Sequence, residues 1–216
     1  MVDSRDGNIV HAGKTVTGEE FAKRAEIFKP ERFSAESWAQ HALDAGMKYA
    51  VFTTRHHEGF CLFDSKVSDF TSAKTAAKRD FVAEYVVAIR NAGLKVGLYY
   101  SLLDWRFPAH WNGPEKDPDG WQTYVDYVHT QVRELCTNYG KIDILWFDGA
   151  WPYDPPSWKS EELISMAYDL QPDILINNRA AIAADFDTPE NQITPTDRHW
   201  ESCQVMHGSW YYDPEV

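Results

Sequence analysis

Four short apolar runs, each preceded by a helix-like stretch, constrain this chain more than any other feature. They are KYAVFTT (Lys48–Thr54), KVGLYYS (Lys95–Ser101), IDILWFD (Ile142–Asp148) and DILINNR (Asp173–Arg179). They are apolar at nearly every position, as suits strands covered on both faces, since alternation develops only where one face meets water. Between them lie amphipathic helices with readable ends. Ser34 is placed to cap a helix reaching Leu43, with Trp38, Ala42 and Ala45 on one stripe. Asp80 opens a helix carrying Phe81, Val82, Tyr85, Val86 and Ile89, and a later one carries Tyr124, Val125, Val128, Val132 and Leu135. A shorter helix, capped by Ser160, carries Leu163, Ile164 and Ala167 before Pro172 stops it.

Helix, glycine, lysine and strand follow one another at Gly46, Gly93 and Gly140. Strands alternating with helices imply right-handed crossovers and a parallel sheet. No G-x-G-x-x-G follows any strand, so a dinucleotide-binding sheet is not indicated. Polar residues stand instead at the strand C-termini: His56 and His57, Ser101 and Asp104, Asp148, and Arg179. That is where a (β/α)8 TIM barrel keeps its chemistry. Strand starts at 48, 95, 142 and 173, with a fifth near 199, are too few for eight units. The expectation is an α/β chain of TIM-barrel type that is incomplete, with five to six βα units. Its open edges would be covered by the N-terminal segment or by a second protomer, because unpaired strand edges invite aggregation.

Composition narrows the function. The formal net charge of −12, with no basic run, argues against nucleic acid and anionic membrane surfaces as partners. Cys61, Cys136 and Cys203 are odd in number and widely spaced, so they read as buried thiols rather than a disulfide framework or zinc site. The first residues hold no apolar signal core, which leads to an expectation of cytoplasmic residence. Aromatic residues make up 14% of the chain; they serve either core packing or the apolar faces of sugars, and composition does not choose.

Strand alternation places Ile144, Trp146 and Asp148 on one face, with the carboxylate at the mouth and the indole one layer below. Gly149, Ala150, Trp151 and two prolines follow, so Asp148 has no immediate helix to cap. His56 and His57 fit either hydrogen bonding to sugar hydroxyls or metal ligation, and a metal-dependent sugar isomerase or hydrolase using them with Asp148 is the weaker alternative. Glu190 in DFDTPE and Glu201 in HWESC are further carboxylates able to approach Asp148. Glycoside hydrolysis needs such a pair, one group to attack or activate water and one to protonate the leaving oxygen.

The motifs GMKYAVFTTRHHEGFCLFDS, KVGLYYSLLDW, IDILWFDG, INNR, DFDTPE and WESC, in this order, resemble the α-L-fucosidases of glycoside hydrolase family 29. The resemblance runs from about Phe28 to Tyr212. It implies a retaining exo-α-L-fucosidase working by double displacement through a covalent fucosyl-enzyme, with no cofactor and no metal, on a fucosylated oligosaccharide or glycoconjugate. It implies Asp148 as nucleophile and Glu190 as acid/base, with Glu201 the alternative, there holding Arg179 or a histidine in place. His56, His57, Tyr99, Trp146 and Arg179 would bind the sugar, and Trp210 would line the pocket for the C5 methyl group. The family's opening strand has no counterpart before Phe28, and its later Trp-Gly-Tyr reads Trp210-Tyr211-Tyr212. Residues 1–216 are therefore expected to form one partial catalytic domain without a C-terminal β-sandwich, assembling as a homo-oligomer to complete or cover the barrel. A catalytically impaired fucose-binding remnant is the alternative function.

Overall fold

The computed structural model describes residues 9–11, 14–151, 153–193, 197–205 and 210. Ile9–His11 (β1) and Lys14–Val16 (β2) pair as a small antiparallel sheet of their own. Two helices follow, Gly18–Ile27 (α1) and Ala35–Asp44 (α2). Then come Tyr49–Arg55 (β3), Phe81–Asn91 (α3), Lys95–Ser101 (β4), Pro108–Lys116 (α4), Pro118–Asn138 (α5), Ile144–Asp148 (β5), Pro155–Trp158 (α6), Ser160–Leu170 (α7) and Leu175–Ile176 (β6). The sheet is parallel in the order β3-β4-β5-β6.

Beyond β6 the sheet goes on as single parallel bridges: Asn177 with Phe186, Asp187 with Trp200, and Glu190 with Cys203. The stretch DFDTPE is thus a strand-like segment between β6 and residues 200–203. Its few apolar side chains hid it. Among the described residues β1 and β2 pair only with each other, and α1 and α2 stand between them and β3 in the chain. Among the described residues the sheet does not close by backbone pairing. One side-chain contact does join its two margins, the Tyr49 hydroxyl donating to Glu201 Oε2 at 2.6 Å.

Two of the apolar runs form shorter strands than their hydrophobicity suggests. Asp143 turns its carboxylate to the Val96 N–H at 2.9 Å, so β5 begins only at Ile144. Asn177 takes over where β6 stops: its Oδ1 accepts the Phe147 N–H at 2.8 Å and its Nδ2 donates to the Phe147 carbonyl at 2.9 Å. A side-chain amide here replaces a backbone rung of the ladder.

The helix-covered face of the sheet holds the main core. Phe52, Val96, Leu98, Tyr100, Leu145 and Phe147 meet Phe81, Val82, Tyr85, Val86 and Ile89 of α3 and Tyr124, Val125, Val128 and Val132 of α5. Burying each such side chain contributes ~1.5–3 kcal/mol. Caps follow the sequence at Ser34, which accepts from the Ser37 N–H, and at Asp80, which accepts from the Ala83 N–H. Two expectations fail locally. Trp38 is 53% exposed, and α2 instead buries the small Ala35, Ala39 and Ala42, and it packs against α3. Ser160 is the first helical residue rather than a cap, because α6 ends on Lys159 in the left-handed region (φ 49°), which turns the chain directly into α7.

The opposite face carries a separate small cluster, Ile144, Trp146 and Phe186, with Val51, Tyr99 and Cys203 packed on it. This is the face that strand alternation assigned to Ile144 and Trp146, and Tyr99 shares it.

Candidate active site

Strand β3 ends at Arg55, so the two histidines after it leave the alternating pattern and stand side by side, ring centroids 3.9 Å apart. The following turn needs Gly59 at φ +80°, its backbone lying against the Asp104 carboxylate where a Cβ would clash. His56 is exposed, bonded through Nδ1 to Glu58 at 3.3 Å, with its ring parallel to Tyr99 at 5.8 Å. His57 is half-buried, with Nδ1 2.6 Å from Ser101 Oγ and Nε2 3.9 Å from Asp148 Oδ2. Ser101 Oγ also accepts the Leu103 N–H at 3.0 Å. The serine hydroxyl itself donates to the Leu103 carbonyl at 3.4 Å. Burial, reinforced by His56 and Arg55, lowers the His57 pKa from 6.5 to about 2, so the ring is neutral.

Asp148 closes β5 opposite Ser101, with Trp146 opposite Tyr99 one pair below. The Tyr99 hydroxyl donates to Asp148 Oδ2 at 2.7 Å. Burial, then the Asp148 charge, pushes the Tyr99 phenol far above its ordinary value, so it remains a donor. Asp148 Oδ1 accepts from Arg179 Nη1 at 3.2 Å. The same Nη1 donates to Glu190 Oε2 at 2.8 Å, which brings the two carboxylates together on one guanidinium nitrogen. Arg179 is held on its other side by Thr188, through Nε to Oγ1 and Nη2 to the carbonyl, both at 2.9 Å, and by Cys203 Sγ at 3.4 Å. Its planar fork lies over the Trp146 ring at 4.8 Å. Burial works against its charge, but the bond to Glu190 and the charge of Asp148 outweigh it and raise its pKa.

Glu201 sits lower on the lumen face than the other carboxylates. Its Oε1 accepts from Trp146 Nε1 at 3.1 Å and its Oε2 from Tyr49. It therefore positions the indole beneath Asp148, rather than holding Arg179 or a histidine. Cys203, expected to be a buried thiol, is only partly buried and faces Arg179, whereas Cys61 and Cys136 are buried. Trp210 is 60% exposed; residues 206–209 and 211–216 on either side lie outside the described residues, among them Tyr211 and Tyr212 of the motif. The structure thus brings together His56, His57, Tyr99, Trp146, Asp148, Arg179 and Glu190; among the described residues no contact joins Trp210 to them.

Sequence reasoning missed three supports. Thr188 clamps Arg179, and its only signal was its place one residue before Pro189-Glu190. Ser101 orients His57; it was noted at a strand end but given no role. Arg55 is fully buried, bonded to the Ser101 and Leu103 carbonyls at 2.6 and 3.0 Å, to Gln131 at 3.0 Å and to Asp104 at 3.5 Å. Its position beside the histidine pair was visible, but its direction, into the helix-side core, follows from strand parity only where a strand is known to end. Among the described residues no three His, Cys, Asp or Glu side chains are grouped to hold a metal ion. No helix among them is long and apolar enough to cross a membrane.

A parallel βα sheet with polar residues gathered at its strand C-termini, and two carboxylates sharing one arginine above aromatic rings, is laid out as in the TIM-barrel class, which keeps its chemistry at that end. The sequence profile of the α-L-fucosidase family matches residues 8–216, and the chain belongs to that family. It is 31% identical to an α-L-fucosidase of Dictyostelium discoideum, over 93% of this chain and 46% of that protein. Among solved structures it resembles α-L-fucosidase isoenzyme 1 of Paenibacillus thiaminolyticus, with 39% identity and a TM-score of 0.79 over 91% of this chain and 54% of the other. It also resembles a Bacteroides thetaiotaomicron α-L-fucosidase trapped as a covalent intermediate with 2-fluoro-fucosyl fluoride, with 29% identity and a TM-score of 0.81 over 87% and 49% of the two chains. The chain spans about half the length of these relatives.

Proposed function

We propose that this chain carries the fucosyl-binding and catalytic face of a retaining α-L-fucosidase of TIM-barrel type, acting on terminal α-L-fucosyl groups of oligosaccharides or glycoconjugates. The observation that carries the proposal is the sharing of Arg179 Nη1 by Asp148 and Glu190, at 3.2 and 2.8 Å, which puts the bonded oxygens at most about 6 Å apart. Retaining glycosidases hold their carboxyl groups roughly 5–5.5 Å apart and inverting ones roughly 6.5–9.5 Å. In the first step Asp148 attacks the anomeric carbon while Glu190 gives a proton to the departing oxygen. In the second, Glu190 takes a proton from water, whose oxygen displaces Asp148 and regenerates both groups.

Tyr99 and Arg179 keep Asp148 fixed and supply donors to charge that develops at the sugar oxygens. His57, neutral, and His56 bind hydroxyls, and Trp146 offers a ring below them. The assignment of Trp210 to the C5 methyl group rests on the family resemblance. Glu201 is the competing acid/base, since it too reaches the lumen face; Glu190 is favoured because both Glu201 oxygens are already engaged by Trp146 and Tyr49.

Incubation with 2-fluoro-fucosyl fluoride followed by intact-mass spectrometry tests the reading. One fucosyl adduct is expected, absent in Asp148→Asn, whose hydrolysis of p-nitrophenyl α-L-fucoside falls roughly a thousand-fold or more. A fully active Asp148→Asn protein would sink the proposal.

A further inference from the structure

Asp104, in the loop after β4, is a fully buried carboxylate that the proposed reaction does not use. Two arginines meet it. Arg106 closes on it as a fork, Nε to Oδ1 at 3.0 Å and Nη2 to Oδ2 at 2.6 Å, and the Arg106 backbone N–H also donates to Oδ1 at 3.1 Å. Arg55, the last residue of β3, reaches Oδ2 at 3.5 Å, and the Tyr127 hydroxyl donates to the same oxygen at 3.4 Å. Among the described residues neither arginine has another ion-pair partner. Taking these charges out of water is costly, so the cluster is a poor way to gain stability and a good way to fix a position.

What it fixes lies on the other side of the carboxylate. Gly59 packs its backbone against both Asp104 oxygens, so closely that a side chain at this position would overlap them. The same glycine ends the turn that begins at His56, its N–H donating to the His56 carbonyl at 2.9 Å. The histidine turn therefore rests on the carboxylate. Trp105, the next residue, holds the middle of the turn: its N–H donates to the His57 carbonyl at 2.9 Å, and its ring stands 5.3 Å from that of His57. With Ser101 Oγ on Nδ1, these contacts tie His57 to residues 101–105 at both backbone and ring. Arg55 holds that segment through the Ser101 and Leu103 carbonyls. Asp104 thus touches the strand end before the histidines, at Arg55, and the turn after them, at Gly59.

We propose that Asp104 is a positioning residue for sugar binding: clamped by Arg55 and Arg106, its carboxylate sets where the His56–Gly59 turn sits, and so where both imidazoles meet the fucosyl hydroxyls. The inference rests on the proposed fucosidase reading and deepens it, since it assigns the support on which the hydroxyl-binding histidines stand. An amide cannot take this place. Of the two Asn atoms that would face the arginine fork, one is itself a donor, so the side chain turns or shifts and Gly59, lying against both, moves with it. Asp148 is less affected, because its side-chain partners are Tyr99 and Arg179, and among the described residues neither is bonded to Asp104.

Kinetics of Asp104→Asn with p-nitrophenyl α-L-fucoside test this. KM is expected to rise about five-fold while kcat stays within about two-fold, since the hold on the hydroxyls is weakened and the nucleophile is kept. A carboxylate that serves the fold alone would lower the folded fraction instead, cutting kcat with KM unchanged, and that result overturns the proposal. Arg106→Met is the second variant, because the Arg106 side chain is 34% exposed and its loss leaves Asp104 with Arg55, Tyr127 and the backbone N–H at position 106. There KM is expected to rise about three-fold, and an unchanged KM in the folded protein overturns the proposal as well. Proton–nitrogen correlation NMR of the imidazoles gives a readout that needs no turnover. The His57 ring signals should shift in both variants while those of His129, bonded to the Trp158 carbonyl at 2.9 Å, stay in place. Unmoved His57 signals overturn the positioning role alone. A parent chain that hydrolyses no fucoside removes the fucosidase reading, and with it the sugar-binding role, even where His57 moves.

Discussion

Replacing Arg55 by methionine removes a charge that no solvent reaches, and the consequences can be worked out bond by bond. The guanidinium donates to the Ser101 carbonyl at 2.6 Å, the Leu103 carbonyl at 3.0 Å and Gln131 Oε1 at 3.0 Å, and it lies over the Tyr100 ring at 4.5 Å. Each buried acceptor left without its donor costs about 1–3 kcal/mol. Gln131 keeps the Tyr100 hydroxyl at 2.9 Å, and Asp104 keeps Arg106 at 2.6 Å, so neither is stranded. The Ser101 carbonyl, and the Leu103 carbonyl left with only the long bond from the Ser101 hydroxyl at 3.4 Å, therefore carry most of the loss, and methionine recovers part of it by filling the volume without a charge to desolvate. A net destabilisation of about 3 kcal/mol follows, which for a domain of this size lowers Tm by roughly 6–12 °C. Urea unfolding followed by tryptophan fluorescence measures the free energy, and thermal unfolding measures Tm. Because the same carbonyls fix the chain at Ser101, which orients His57, KM for an aryl fucoside should rise as well. A loss below about 1 kcal/mol would refute the reasoning, since it would mean that the β4 carbonyls find other donors at no cost.

Two further outcomes are expected. Glu190→Gln should lose most activity on an aryl fucoside and regain part of it with azide, which replaces water without needing a general base; Glu201→Gln should weaken sugar binding through Trp146 and show no rescue, and rescue of Glu201→Gln instead would exchange their roles. The pH dependence of stability follows from His57, lowered to about 2, and His110, lowered by burial to about 4, both from 6.5. Below pH 6.5 the unfolded chain takes up protons that the folded one refuses, so these residues' contribution is full above 6.5 and declines as pH falls toward 4. An imidazole signal of His57 that titrates between pH 5 and 8 in NMR would contradict the buried, neutral ring.

Much of the fold was legible because its signals are short-ranged. Lys95–Ser101 matches β4 residue for residue, and the apolar faces of α3 and α5 are those that helical spacing assigns. Strand parity alone put Trp146 and Asp148 on one face. What escaped was structure made by side chains in place of backbone: the Asn177 amide that ends β6, and the single bridges that make a strand of DFDTPE. No periodicity marks either. The aromatic content, ambiguous as a percentage, divides in space: Trp158, Tyr100, Tyr124, Phe63 and Phe147 are fully buried, whereas Tyr99 and Trp146 lie on the lumen face and Trp151 at its rim.

The sequence by itself determined the parallel βα order, the strand ends at which polar residues collect, and the membership in a family whose motifs appear in sequence order. Only the tertiary structure decided which carboxylate meets Asp148. Glu190 and Glu201 are both acidic residues on neighbouring segments, and nothing local separates them. The difference arises from sheet geometry: parallel bridging puts Glu190 beside Cys203 at the mouth, where Arg179 reaches it, while Glu201 sits lower and is taken by Trp146 and Tyr49. Periodicity reports the face a residue shares with its near neighbours in sequence. The height at which distant strands align depends on register and twist, and these are settled only when the sheet packs.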